Sequence, residues 1–492
     1  MENEFRAPVI QIRRGRCPLV VKNVASMNSN LLRAFAAACF ILMLIALARL
    51  LRPDETAITP ATTEASAAGD TGPDATRDRH YVRLSRSGNN SKPALTAGQI
   101  VGGKVMQFAR SRRDIAFALA AKKNVEMPDW ARRFFDAIEA GNWAEADALY
   151  KSMKKLLNTD QRTDAQLAVW PAVLETYGVA EVAHDWPAQK LLDYGNAVLG
   201  SLRPGMVYVG GTDAGRFIPT LLNETSGGER HVVLTQNAFA DGTYLEYVQH
   251  LYGDHLVAAD SADSQRAFKD YIDDASRRFQ HDLDHPDEPK QLRPGEDVKK
   301  IDNRIQVSGQ VAVMSINEKI LQEFMRKNPD LSFALEESSP LKSTYPGATP
   351  LGPLMELRAG EQDALTPERA AQSLDYWRQT AQQLANDPEA PPDSETRKAW
   401  AQMAMAQANL FADRDLGAQA EPIYRLASEL SPGYLTPVGQ LAQLFQRTGR
   451  ANEAQQLLED FIRSHPDQRA AVEALRRQMM ELTRFDGHPV RR

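Results

Sequence analysis

Polar residues able to hold a ligand gather at one corner of this chain. In Met206–Leu222, MVYVGGTDAGRFIPTLL, a short apolar run stops at Gly210 and Gly211, and Thr212, Asp213, Gly215 and Arg216 follow at once. Glycines let backbone N–H groups approach a bound group, and an arginine fork holds a carboxylate or phosphate through two parallel hydrogen bonds. A second gathering, Thr235, Gln236, Asn237, Asp241, Thr243 and Tyr244, follows the apolar run Val232–Thr235, and Ser315 and Asn317 follow a third, Val311–Met314. Asp213, Asp241, Glu336 and Glu337 are the candidate acids and bases. Glu336 and Glu337 are adjacent, and adjacent strand residues point to opposite faces, so they are not a ready couple. The plainer reading makes Gly210-Gly211 a tight turn and Asp213 a helix cap.

The elements that must position these groups alternate. Met206–Val209, Val232–Thr235 and Val311–Met314 read as strands, each leading into a helix. Asp241 caps a helix from about Gly242 to Tyr252. Ser315-Ile316-Asn317-Glu318 matches a capping box before an apolar face of Ile316, Ile320, Leu321, Phe324 and Met325, which Asn328-Pro329 ends. Leu331–Leu335 reads as a further strand, and His255–Ala258 is an extra candidate of poor periodicity. Pro219 interrupts a helix capped at Asp213 but fits one starting near Ile218. The order predicts an α/β fold, a mainly parallel sheet covered by helices, with ligands beyond the carboxyl ends of the strands.

Several chemistries are excluded or left without support. Gly211 to Arg216 lacks the Gly-Lys-Ser/Thr ending of a phosphate-binding loop, and neither G-x-G-x-x-G nor G-x-S-x-G occurs. His281 and His285 stand four apart but lack the glutamate a zincin needs, so no metal and no cofactor is assigned. A net charge of −6 and a pI near 5.9 give no footprint for nucleic acid. The two cysteines, Cys17 and Cys39, both precede residue 40, so the body can form no disulfide.

The N-terminus carries a localisation signal. Ala34 to Ala48, AFAAACFILMLIALA, holds no charge and lies between Arg33 and Arg49, with Arg13, Arg14, Arg16 and Lys22 upstream. Fifteen residues span only about 22 Å of helix against a hydrocarbon core of about 30 Å, and the flanking leucines extend the run. The positive-inside rule then gives 1–30 as a short cytoplasmic segment, 31–52 as a single transmembrane signal-anchor of the inner membrane and 53–95 as a flexible linker, with the rest periplasmic. The alternative is a cleaved signal peptide, with Ala46-Leu47-Ala48 as its site and Met27 as a second candidate start.

Residues 186–358 resemble the extramembrane region of a bacterial multi-pass membrane protein family that is similar to protein O-mannosyltransferases. The stretches that carry the resemblance are LLDYGNAVLGSL, VYVGGTDAGRF, LTQNAFADGTYLEY, IQVSGQVAVMSIN, FALEESSPL and YPGATPLGPLMEL, in that order. In such a family glycosyl transfer is expected in the multi-pass portion. That portion is missing here, so the resemblance implies an α/β module and no catalytic residue.

Helical segments flank this module. Within 96–185, Trp130 to Met153 reads as a helical hairpin turning at Gly141-Asn142, with tetratricopeptide-like spacing. Within 359–492, Ala408/Ala442, Leu410/Leu444, Phe411/Phe445, Ala420/Ala454 and Pro432/Pro466 recur at 34 residues, the tetratricopeptide period. A helical pair over about Pro367 to Ala385 and a closing helix over about Arg469 to Leu482 cap the array. Such arrays bind proteins. The leading expectation is a membrane-anchored, periplasmic interaction protein, binding a protein partner through the array and paired with a membrane glycosyltransferase or glycan. The alternative is an enzyme of glycan or lipid-linked sugar metabolism using the crevice carboxylates.

Overall fold

In the computed structural model the described residues are 95–157, 162–293, 295–301, 304–337, 345–357 and 365–485. A helical layer comes first: α1 (Ala97–Lys122), α2 (Asp129–Glu139), α3 (Trp143–Leu157), α4 (Asp164–Asp185) and α5 (Ala188–Gly200). Capping boxes start two of them, Thr96 with Gln99 and Thr163 with Gln166, because each side chain satisfies the other's orphan N–H. Phe134, Phe135, Tyr150 and Trp170 form their own core, in which the Tyr150 ring stacks on Tyr177 and Trp170. The α2–α3 turn falls at Gly141, where φ is +72°.

The α/β part follows as β1 (Val207–Gly210), α6 (Asp213–Glu224), β2 (Val232–Thr235), α7 (Gly242–Tyr252), α8 (Ser261–Asp284), β3 (Asp297–Ile301), β4 (Arg304–Ser308), α9 (Gln310–Lys327), β5 (Phe333–Leu335), β6 (Thr349–Leu351) and β7 (Leu354–Leu357). The main sheet has the order β2-β1-β5-β7-β6. β1 is parallel to β2 and to β5, pairing Val207 with both Val232 and Phe333, and β7 runs antiparallel to β5 and β6. Strand alternation sends Val207, Val209, Leu234, Phe333 and Leu335 to one face, in one core with Phe268 of α8 and Ile320 and Phe324 of α9. Tyr208, Val233 and Ala334 go to the other face, with Ile218 and Leu221 of α6 and Tyr194 of α5. Each fully buried aliphatic side chain of this kind contributes about 1.5–3 kcal/mol.

Three local expectations are corrected. Val311–Met314 is not a strand but the first turn of α9, entered from Gly309 at φ +92°. Four apolar residues in a row suit either period, and the buried series Ala312, Val313, Ile316, Ile320, Phe324 has helical spacing. Ser315 to Glu318 therefore lies inside a helix and caps nothing. The third parallel strand is β5, so the sheet is mixed, with β6 and β7 drawn from the TPLGPLMEL stretch, and a separate β3–β4 hairpin stands beside it. No strand forms at His255–Ala258.

The chain ends in α10 (Pro367–Ala385), α11 (Glu395–Ala412), α12 (Gly417–Leu430), α13 (Leu435–Arg447), α14 (Ala451–Ser464) and α15 (Arg469–Phe485). Pro367–Ala385 is one helix, not a pair. Ala408, Phe411 and Ala420 are fully buried where the helices cross, and their 34-residue counterparts Ala442, Phe445 and Ala454 are buried too. This array is fused to the sheet. Gln407 donates to the carbonyls of Gly352 and Leu354 at 2.6 and 2.8 Å, and its own oxygen accepts from Ser373 and Trp377. Tyr194 meets Trp400 edge-on at 5.4 Å, and Arg414 donates to the Tyr345 carbonyl at 2.8 Å.

The helical layer is tied in by charge. Arg112 of α1 is fully buried and pairs with Glu175 of α4 and Glu224 of α6, while Tyr247 and Tyr252 of α7 donate to the same two carboxylates. A buried cation survives only with such partners.

Candidate functional site

The corner after β1 is built by close approach. A Cβ on Gly210 would lie 2.6 Å from the Gly215 carbonyl, and one on Gly215 would overlap the Glu336 carboxylate at 1.8 Å. Without those side chains, the start of α6 sits directly on the end of β1. Thr212, not Asp213, is the N-cap: its hydroxyl accepts from the Gly215 N–H at 2.9 Å. Asp213 instead pairs with Arg216 at 3.0 Å. The helix then runs from Asp213 through Pro219 without interruption. Proline removes the N–H that the Gly215 carbonyl would accept from, and the Tyr208 hydroxyl donates to that carbonyl in its place.

Glu336, one residue past β5, fills the seat at the α6 N-terminus. Its carboxylate accepts from the N–H groups of Gly211 and Thr212 at 2.7 and 3.0 Å and from the Thr212 hydroxyl, with the Tyr194 hydroxyl at 3.4 Å. Backbone N–H groups and the helix dipole make this the place where a doubly wound fold receives a phosphate. Here the chain supplies its own anion. Burial pushes the Glu336 carboxyl up against the opposing pull of these donors.

The crevice where strand order reverses lies between β1 and β5, and three strand ends converge on it. Glu337 Oε1 and Gln236 Oε1 both lie near Gly211, 3.1 and 3.2 Å from where its Cβ would stand. Burial, then the charge of Glu336, raises Glu337 to about 8, so it is mainly protonated at neutral pH. Gln236 is fully buried, and neither atom of its amide has a hydrogen-bond partner among the described residues. Asn237 donates to the Gly211 carbonyl at 2.6 Å, leaving its own oxygen unpaired.

A second wall faces the helical layer. Arg216, Thr235, Asp241 and Tyr244 line a cavity of about 30 Å³ with Trp170 and Glu175 of α4, room for about one or two waters. Asp241 caps α7, accepting from the N–H and hydroxyl of Thr243 at 2.8 Å each, and burial raises its carboxyl. The Tyr244 hydroxyl accepts from the Thr235 N–H at 2.6 Å.

The expected residues thus divide. Gly210, Gly211, Thr212 and Gly215 meet at the corner, Gln236 and Asn237 at the crevice, and Arg216, Thr235, Asp241 and Tyr244 at the small cavity, while Thr243 serves the α7 cap. Asn317 points elsewhere, accepting from the Ala240 N–H at 2.8 Å, and Ser315 accepts from Arg293. The seat-filling role of Glu336 and the contributions of Tyr194, Trp170 and Glu175 were not foreseen. They come from segments distant in sequence and carry no local motif. His281 lies beside Asp282 and Glu288, and among the described residues no group of three or more metal-ligating side chains could hold an ion.

Comparison with known proteins finds one similarity. Residues 412–479 match the tetratricopeptide repeat model, in a match that spans α12 to α14 and reaches into α15. No curated protein and no solved structure matches the chain. The resemblance to the extramembrane region of an O-mannosyltransferase-like family is accordingly corrected: the one family match lies in the helical array, outside residues 186–358. The expected membrane anchoring and membrane glycosyltransferase partner are likewise unsupported. No helix among the described residues is long and apolar enough to cross a membrane, and the expected signal-anchor at 31–52 lies outside the described residues. The α/β core and the C-terminal repeat array stand.

Proposed function

We propose that the chain works as a protein-interaction module in which the tetratricopeptide-type array receives a protein partner and the α/β part holds that array in place. The observation that carries this reading is the match over 412–479, beside 34-residue pairs buried where the helices of the array cross. Stacked helical hairpins leave an extended surface for peptides or other subunits. The test is hydrogen exchange on the full chain, alone and in its affinity-purified complex. Protection of amides within 412–479 supports the reading. Protection confined to residues outside the array overturns it.

One observation favours a second reading, acid–base chemistry on a small substrate at the β1–β5 crevice. Glu337 is raised to about 8 beside the unpaired amide of Gln236, and general acids and bases work best with values near the operating pH. A substrate screen in which wild type turns over and Glu337→Gln does not would favour it. Equal activity of the two would remove it.

A further inference from the structure

A larger cleft lies on the opposite edge of the sheet, away from both sites above. It encloses about 430 Å³ between the β6–β7 hairpin and α10, within the range of small-molecule pockets. One wall is a single helical face, Arg369, Gln372, Ser373 and Tyr376, at the i, i+3, i+4, i+7 spacing that aligns side chains along a helix. The other is the edge strand β6, where Pro350 removes an N–H and blunts the edge for strand pairing. The floor is polar. Glu356 of β7 is 5% exposed and is gripped from outside by the fork of Arg203, with one contact at 3.2 Å and a shorter second one.

The chemistry of this lining is donor-rich. The Glu356 carboxylate is already engaged by Arg203, and the Ser373 hydroxyl donates to Gln407. Arg369 differs, because among the described residues it bonds through its backbone N–H, to Thr366, and not through its guanidinium. Counting Arg203, Arg369 and Glu356, the lining carries one net positive charge on a chain whose formal charge is −6. Burial raises the Tyr376 phenol to about 12, so it remains a donor at physiological pH. The Gln372 amide adds further donors, and Pro350 and Leu351 supply an apolar patch for the ligand body.

We propose that this cleft binds a small molecule bearing an oxyanion, a carboxylate or a phosphate, held by Arg369 with support from the Tyr376 hydroxyl. An arginine fork matches both groups bidentately. The cleft shares no lining residue with the β1–β5 crevice.

The test is calorimetric titration of the full chain with inorganic phosphate and, separately, with citrate. We expect saturable one-to-one binding of at least one, weakened tenfold or more by Arg369→Ala and severalfold by Tyr376→Phe, without loss of thermal stability. Gln372→Glu places a carboxylate in the cleft from an exposed position and should abolish binding in a folded chain. Phosphate alone binding identifies a phosphoryl ligand, and citrate alone a carboxylate ligand. No saturable binding of either anion, or equal affinity in wild type, Arg369→Ala and Gln372→Glu, overturns the proposal.

Discussion

Glu336 and Glu337 share a peptide bond and differ in environment. Glu336 is surrounded by donors, two of them main-chain N–H groups of the α6 start, while Glu337 is raised to about 8 by burial and by its neighbour's charge. The folded chain therefore keeps a proton on Glu337 that the unfolded chain releases near 4.5, and folding stability falls as pH rises from that value to about 8. We expect the Tm of wild type to drop between pH 6 and 8 relative to Glu337→Gln, which has no proton to lose. Parallel pH profiles for the two proteins would refute this assignment. The residue types of this corner were legible, since glycines, Thr212 and Arg216 were singled out by kind and spacing. Their division of labour was not. Which hydroxyl caps α6, and which carboxylate fills its N-terminus, depends on a partner brought in by strand pairing.

At the scale of elements, α6 is the helix on which the packing converges. A Cβ on Gly178 of α4 would lie 2.1 Å from the Phe217 ring, and one on Gly195 of α5 would lie 2.4 Å from Leu222. Both flanking helices thus approach α6 through glycine. Gly195→Ala should destabilise the fold by about 1–3 kcal/mol through overpacking, seen as a lower denaturation midpoint with an unchanged slope. Tyr208→Phe leaves the Gly215 carbonyl without its donor and should cost about 1–3 kcal/mol as well. A wild-type midpoint in either variant would show that the contact is readily replaced. The bounds of α7 and α15 were placed closely, and the apolar stripe from Ile316 to Met325 located most of α9. Periodicity failed at Val311–Met314, because four apolar residues fit both periods, and at β6 and β7, where Pro350 and Gly352 hid two short strands among turn residues.

For the whole molecule, the important connection is the side chain of Gln407. It joins α11 to the β6–β7 hairpin and, through Trp377 and Ser373, to α10, so array and sheet share one polar junction inside a continuous apolar core. Gln407→Leu would strand two carbonyls and two donors and should lower stability by about 2–4 kcal/mol. The wild-type chain should unfold in urea with coincident transitions by tryptophan fluorescence and far-ultraviolet circular dichroism. An early, separate loss of helix would show that the array melts alone. Sequence alone showed the repeats, whose contacts are local and periodic. It gave no sign of this junction, which rests on one glutamine among many.

The seat at the start of α6 also has a consequence in time. The Gly211 N–H and the carboxylate it binds are 125 residues apart in the chain. During synthesis at about 5–20 residues per second, β1 and α6 exist for several seconds before Glu336 has been made. Through that interval the α6 N-terminus has only Thr212 to satisfy it, and water or a solute anion serves the remaining donors. The corner closes when β5 pairs beside β1, a long-range contact of the kind that slows folding. Arrival of the C-terminal half is thus what completes the first helix of the α/β core.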